Sequence, residues 1–313
     1  MNISMQKISL IKRLWIYQKE RFPVLKHGIL IGSFSFCSVC LSSLLRQNNI
    51  WPDIQTSLTA FFCLFLFFLE LRILDEFKDA EIDAKFRPER PVPRGLISLG
   101  ELKFIGMLSV LLQLVLTYYL NYKLIFLLVL TWVYMAAMSV EFFIGNWIKK
   151  RPLTYLWTHM LIMPLIDFFA TACDWLTFSN NPPSGLIGFL VVSFFNGVVI
   201  EIGRKTWAPE QERLGVESYS KEWGIRPSIV LWWMAMGLAF VFACMLAFQI
   251  NFFYPVFIIL SVLLGFLLYL GYSFIKKPTL KKSKMLENFS GLWVAMLYLI
   301  LGILPMGVRL WIN

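Results

Sequence analysis

Positions 74–95, LDEFKDAEIDAKFRPERPVPRG, concentrate six acids and five bases in a chain that is otherwise mostly Leu, Phe, Ile and Val. On a helix at 100° per residue, Arg72, Asp75, Glu76, Asp79 and Asp83 fall within about a 100° arc, so four carboxylates and a guanidinium share one wall. Carboxylates this close repel one another unless a cation neutralises them. Hard oxygen donors suit Mg²⁺, which keeps its waters and binds through a few carboxylates plus substrate phosphates. The bases follow directly: Arg87, Arg90 and Arg94, set among Pro88, Pro91 and Pro93 and closed by Gly95. Prolines stiffen such a loop, and guanidinium forks match phosphate oxygens. Acids for magnesium beside arginines for phosphate point to a diphosphate site. The competing reading is a solvated loop whose arginines serve only membrane topology, but solvated charges need no common helix face.

The elements that must carry this wall are legible from composition. Hydrophobic residues make up 58% of the chain and charged ones only 15%, with a mean hydropathy of +0.67. A soluble domain is far less apolar. Stretches of roughly 20 apolar residues, enough to cross a bilayer, fall near 25–46, 53–77, 102–121, 123–145, 152–177, 184–206, 227–249, 251–275 and 287–311. The expectation is one all-α domain over 1–313, a polytopic bundle of about nine transmembrane helices. With nine crossings, 25 of the 29 Lys and Arg collect at the N-terminus and in the loops after spans 2, 4, 6 and 8, and Arg72 sits at the inner end of span 2. Only Arg46, Lys123 and Arg309 fall outside. Bases mark the cytoplasmic side, so the N-terminus and the loop after span 2 are expected there, in a multi-pass protein of a bacterial inner membrane. The net charge of +10 is then a topology signal with a pull toward anionic headgroups of the lipid bilayer, and a nucleic-acid partner is disfavoured. Met1–Lys26 is basic and aromatic but lacks the short apolar core and cleavage site of a signal peptide. The five cysteines lie inside apolar stretches, as small buried hydrophobes do.

The run DEFKDAEID resembles the NDxxDxxxD motif of the UbiA-type intramembrane prenyltransferases, and FRPERPVPRG resembles the RPxRPLPxG segment that follows it there. Asp75 stands where that family has Asn, and Glu76 where it has the first Asp; both keep oxygen donors. The resemblance implies a central cavity, with a second acidic motif after helix 6 facing the first across it. At that place this chain has EIGRKTWAPEQERLGVESYSKEWG, residues 201–224, with Glu201, Glu210, Glu212 and Glu217 as acids and Arg204 and Lys205 between them. Pro209 breaks the helix face that Glu201, Lys205 and Glu212 would otherwise share. Glu201 is the foremost metal-ligand candidate of this loop, since a carboxylate so near the membrane is costly without a partner. The alternative partner is Lys205. Glu210 and Glu212 are further metal candidates.

The resemblance also implies a diphosphate-holding role for the basic segment after span 4, here Lys149, Lys150 and Arg151, although topology alone supplies such bases. Tyr219, Ser220 and Lys221 could donate to phosphate oxygens or simply cap a loop helix. His159 and Asp167 lie eight residues apart on span 5 with Pro164 between them; they either face a cavity or hydrogen-bond each other.

The implied chemistry is Mg²⁺-assisted ionisation of an isoprenyl diphosphate in an apolar, aromatic-lined cavity, with the prenyl group passed to an acceptor. Capture by the substrate's own double bond would make the protein a terpene cyclase. Divalent-cation transport would need carboxylates near mid-membrane along a path, whereas these sit at the cytosolic edge beside arginines. Chain length, acceptor and oligomeric state are not readable.

Overall fold

Apolar runs this long leave backbone amides no water to bond, so each must satisfy itself as a helix. The computed structural model describes residues 9–48, 50–213 and 215–312; Lys7 of the basic N-terminal segment, Leu214 of the second loop and Asn313 lie outside the described residues. It is 80% helical, without strands among the described residues. In chain order the helices are α1 (Leu10–Arg21), α2 (Val24–Leu45), α3 (Ile54–Lys78), the short α4 (Ala80–Phe86), α5 (Leu99–Leu120), α6 (Leu124–Ser139), one-turn α7 (Gly145–Ile148), α8 (Pro152–Met160), α9 (Ile162–Trp175), α10 (Leu186–Lys205), one-turn α11 (Tyr219–Glu222), α12 (Ile225–Gln249), α13 (Phe253–Lys276), α14 (Leu280–Leu301) and α15 (Ile303–Ile312). Local chemistry sets the ends. Asp53 caps α3 through the Gln55 amide, and Ser98 and Glu101 form a reciprocal capping box on α5. Pro164 and Pro305 each lack an N–H and crowd the carbonyl four residues back. The breaks between α8 and α9 and between α14 and α15 fall there.

Counting α8–α9 and α14–α15 as single crossings, eight described helices are long and apolar enough to span a membrane. The remaining expected span, 123–145, is cut short: α6 has 16 residues, about 24 Å of rise against a hydrocarbon core of about 30 Å. It stops because Glu141, Phe142 and Phe143 all take left-handed backbone angles, φ 52°, 53° and 61°. Non-glycine residues pay roughly 1–2 kcal/mol each for that conformation. The edges of Tyr134 and His159 hold Phe142 in place.

Helix α10 runs through the middle of the bundle, packed on α9, α12 and α14, while α2 packs on α3, α9 and α14. Small residues permit these approaches. A Cβ on Gly302 would stand 2.4 Å from the Cys37 carbonyl, and one on Gly203 would meet the Ser290 side chain at 2.0 Å. At mid-bundle, Asp167 accepts hydrogen bonds from Ser38, Ser193 and Tyr298, joining α2, α9, α10 and α14. The alternative of a His159–Asp167 hydrogen bond does not hold: His159 turns to Tyr155, Lys78 and Glu141 instead. Eight residues put about 12 Å of helix between the two side chains.

Helix α1 docks over the end of the bundle that carries the acidic loop. Its Tyr17 packs with Ile73, Ile97 and Leu102, and three ion pairs tie it down: Arg13 to Glu101, Glu20 to Arg94, and Arg21 to Glu76. The three bases expected outside are satisfied at the other end. Arg46 forks onto Asp174, Lys123 reaches Asn180 and Arg309 donates to the Ile250 carbonyl.

Candidate active site

The first acidic segment does not present one continuous wall. α3 ends at Lys78, and Asp79 takes φ −94°, ψ 5° as the joint to α4, so the periodicity that placed Asp83 beside Asp79 is interrupted. The five side chains then divide. Glu76, with a side chain only 1% exposed, is held by Arg21 at 2.5 Å. Asp83, equally buried, is clamped by Arg87 at 3.0 Å and Arg90 at 2.5 Å. Asp75 is half-exposed and touches Arg72 only at 3.4 Å. Asp79 makes no side-chain hydrogen bond or ion pair among the described residues. Two acids are thus neutralised by fixed guanidinium groups, and two, one turn apart and within each other's field, are left loosely held. Arg94 points away from this group, forking onto Glu20 of α1.

The second segment lies at the same end of the bundle, with Arg204 within electrostatic reach of Asp75. Glu201 at the end of α10 is paired with Arg204 at 2.6 Å and Lys205 at 2.9 Å, so the pairing with Lys205 anticipated from sequence is present, joined by a second base. Glu212 accepts from Ser218 and Ser220 and fixes the fold of the loop, while Glu210 and Glu217 are exposed. Ser218 caps α11 and Ser220 accepts from the Trp207 amide, so Ser220 serves the loop. Tyr219 is buried, stacked on Trp223, with the Lys205 ammonium 5.8 Å from its ring centre. Burial, then the nearby Glu201 carboxylate, pushes its hydroxyl above the ordinary tyrosine range, so it stays a proton donor. Lys221 is exposed.

Between the second segment and the start of α8 lies a cavity of about 60 Å³ lined by Lys149, Pro152, Tyr155, Lys205, Glu217, Ser218, Tyr219 and Glu222. Tyr155 stands within electrostatic reach of Glu141, Glu201, Asp79 and Glu217, which ties the cavity to both acidic segments. Lys150 and Arg151 are exposed, and Arg151 stacks on Trp147. Among the described residues, no three His, Cys, Asp or Glu side chains converge into a metal cage on their own.

Three residues here escaped the sequence reading: Lys78, Glu141 and Tyr155. Lys78 hides among the non-motif positions of the acidic run. Glu141 carried a usable signal, being a lone acid inside an expected span, where charge is costly and usually functional.

The model of the UbiA prenyltransferase family matches residues 35–292. A stretch of 77 residues is 35% identical to the digeranylgeranylglyceryl phosphate synthase of Methanocaldococcus jannaschii, spanning 25% of this chain and 27% of that protein. Among solved structures, one from a study of digeranylgeranylglyceryl phosphate synthase in membranes superposes with a TM-score of 0.65 at 19% identity, covering 95% of this chain and 99% of that one. The apo structure of a UbiA homologue from Aeropyrum pernix gives a TM-score of 0.65 at 11% identity, over 92% of this chain and 98% of that one. At these identities the two structures speak for the fold.

Proposed function

The chain belongs to the UbiA prenyltransferase family, and from that premise we propose that it ionises an isoprenyl diphosphate at the end of the bundle that carries both charged segments, and passes the prenyl group to an acceptor in the membrane. The observation that carries the reading is the division of the acids. Asp75 and Asp79 are loosely held, while cations and hydroxyls of α8, α10 and α11 line the neighbouring cavity. Two such carboxylates fit Mg²⁺, which binds through one or two acids and completes its shell with water and substrate phosphate. Bound there, Mg²⁺ would supply neutralisation of the charge growing on the leaving diphosphate.

The protein's own groups do the rest. Lys149, Lys205 and the Tyr219 hydroxyl present cations and a donor to the diphosphate oxygens, fixed before the substrate arrives. Glu201 keeps Arg204 and Lys205 aimed by pairing with both. Arg72 adds a cation beside Asp75. Glu76 and Asp83 serve as sockets, one for α1 and one for the Arg87–Arg90 loop. Deeper in the bundle, buried Phe67, Phe169, Phe189, Trp232 and Trp293 make an apolar interior that would keep water from the allylic cation. The bases gathered at this end support a cytoplasmic location for it and for the N-terminus.

The test is product analysis. Purified protein is incubated with a series of allylic diphosphates, alone and with acceptors, and products are identified by mass spectrometry. The relative named for digeranylgeranylglyceryl phosphate makes a phosphorylated glycerol lipid the first acceptor class to try. A prenylated acceptor is expected; a hydrocarbon or terpene alcohol formed without acceptor would make the protein a cyclase, and no diphosphate release from any substrate would refute the reading.

A further inference from the structure

The loop that ends α6 is the most strained backbone among the described residues, with three consecutive non-glycine residues at φ between 52° and 61°. Strain of this kind persists only where the surroundings enforce it, and it concentrates where a side chain must be delivered to one place. The side chain delivered here is Glu141, itself buried. Gly145 backs it closely: a Cβ there would lie 3.3 Å from the Glu141 Cβ. The Glu141 carboxylate stands 2.7 Å from the Lys78 ammonium, on the last residue of α3.

Lys78 has two other neighbours, both on α8. Its Nζ donates to the Tyr155 hydroxyl at 2.8 Å and lies 3.4 Å from His159 Nε2. His159 Nδ1 sits 2.8 Å from the Tyr155 carbonyl, which can only accept, so Nδ1 carries a proton and the neutral ring leaves Nε2 as an acceptor. Lys78 therefore donates to a phenol oxygen, lies near an imidazole nitrogen and pairs its charge with a carboxylate. An ammonium so enclosed, its side chain 17% exposed, is turned toward the protein. What it does is orient Tyr155, whose oxygen it fills and whose own proton has no acceptor among the described residues. Tyr155 lines the cavity beside Lys149, Lys205 and Tyr219. A donated hydrogen bond from an ammonium also polarises the O–H, making it the stronger donor.

We propose that Tyr155 is a further substrate-binding residue that donates its hydroxyl proton to an oxygen of the diphosphate, with Lys78 and Glu141 as the positioning residues behind it. The proposal rests on the reading of this end of the bundle as the diphosphate site. It gives the left-handed turn a purpose, because a regular continuation of α6 past Ser139 would carry Glu141 elsewhere on the helix.

The experiment measures binding of inorganic pyrophosphate with Mg²⁺ to the full-length protein in detergent by calorimetry, with melting temperature as a check on folding. Tyr155→Phe keeps the ring that stacks on His159 at 3.8 Å and loses only the hydroxyl. It should weaken pyrophosphate binding about tenfold, the loss of one hydrogen bond to a charged group. Lys78→Met, made with Glu141→Gln so that no buried charge is left bare, should weaken it by a similar factor, and Lys78→Arg should restore most of it. Because both changes act through one hydroxyl, combining Tyr155→Phe with the Lys78–Glu141 pair should weaken binding no further. Multiplying effects, or a Tyr155→Phe protein that binds like the parent, would overturn the proposal while leaving the site reading intact. A parent that binds no pyrophosphate would overturn both.

Discussion

If Glu76 is a socket for α1 and not a metal ligand, its replacement should cost stability before it costs binding. The Glu76 side chain is 1% exposed and that of Arg21 12%, so this is a buried pair with slight solvent access on the basic side. Removing the arginine leaves a carboxylate bare in the protein. For buried pairs that loss is worth about 3–5 kcal/mol, and the partial access of Arg21 argues for about 3. For a chain of this size each kcal/mol moves the melting temperature by roughly 2 °C, so Arg21→Met should melt about 6 °C below the parent. Glu76→Gln keeps the shape and one hydrogen-bond acceptor and should cost about half as much. The combined Arg21→Met, Glu76→Gln protein should recover most of the loss, because neither charge is then stranded. Thermal unfolding in detergent measures all three, and pyrophosphate binding is read on the same samples. The reasoning is wrong if Glu76→Gln abolishes Mg²⁺-dependent pyrophosphate binding while melting like the parent, since Glu76 would then be a ligand and Arg21 incidental.

Asp79→Ala and Asp75→Ala should show the opposite pattern, with melting unchanged and both Mg²⁺-dependent pyrophosphate binding and turnover lost; full turnover in excess chelator would break the metal assignment. Cysteines placed at Lys85 and Glu217, both exposed, should be labelled from one side of a sealed vesicle and a cysteine at Asn180 from the other, and labelling of the first two from opposite sides would dissolve the two-segment site. Arg94→Lys loses the fork onto Glu20 and should leave pyrophosphate affinity within about twofold, since this pair is partly exposed and worth about 1 kcal/mol or less; a tenfold fall would return Arg94 to the binding site. Gly302→Ala drives a methyl into the Cys37 backbone and should destabilise by about 2 kcal/mol or more, read as a lowered melting temperature.

The membrane architecture was largely legible because it depends on counting: apolar lengths follow from residue type alone, and they marked the eight long crossings while overrunning the end of α6. The acidic run was legible as a chemical cluster for the same reason. What periodicity could not supply was the joint at Asp79, since no residue there forbids the helix from continuing, and with the joint goes the inference that five side chains share one wall. Partners distant in the chain were equally hidden. Glu76 finds Arg21 from 55 residues away and Glu20 finds Arg94 from 74; no local pattern encodes which of several nearby bases an acid will choose. The left-handed turn at Glu141–Phe143 contradicts the preferences of its own residues and exists only because the surrounding packing enforces it.

The docking of α1 bears on where this protein can be cut. The family match begins at residue 35, and trimming the chain to the matched segment would remove Arg13, Glu20 and Arg21 together. Glu101 and Arg94 would be released toward water at little cost, but Glu76 would be left as a carboxylate walled in by protein with its counter-charge gone. A shortened protein would then have to hydrate that pocket, opening the last turn of α3 on which Asp75 also rides. Helix α1, Leu10–Arg21, is in this sense part of the end that carries both charged segments, and a boundary drawn from sequence similarity alone would pass through its foundation.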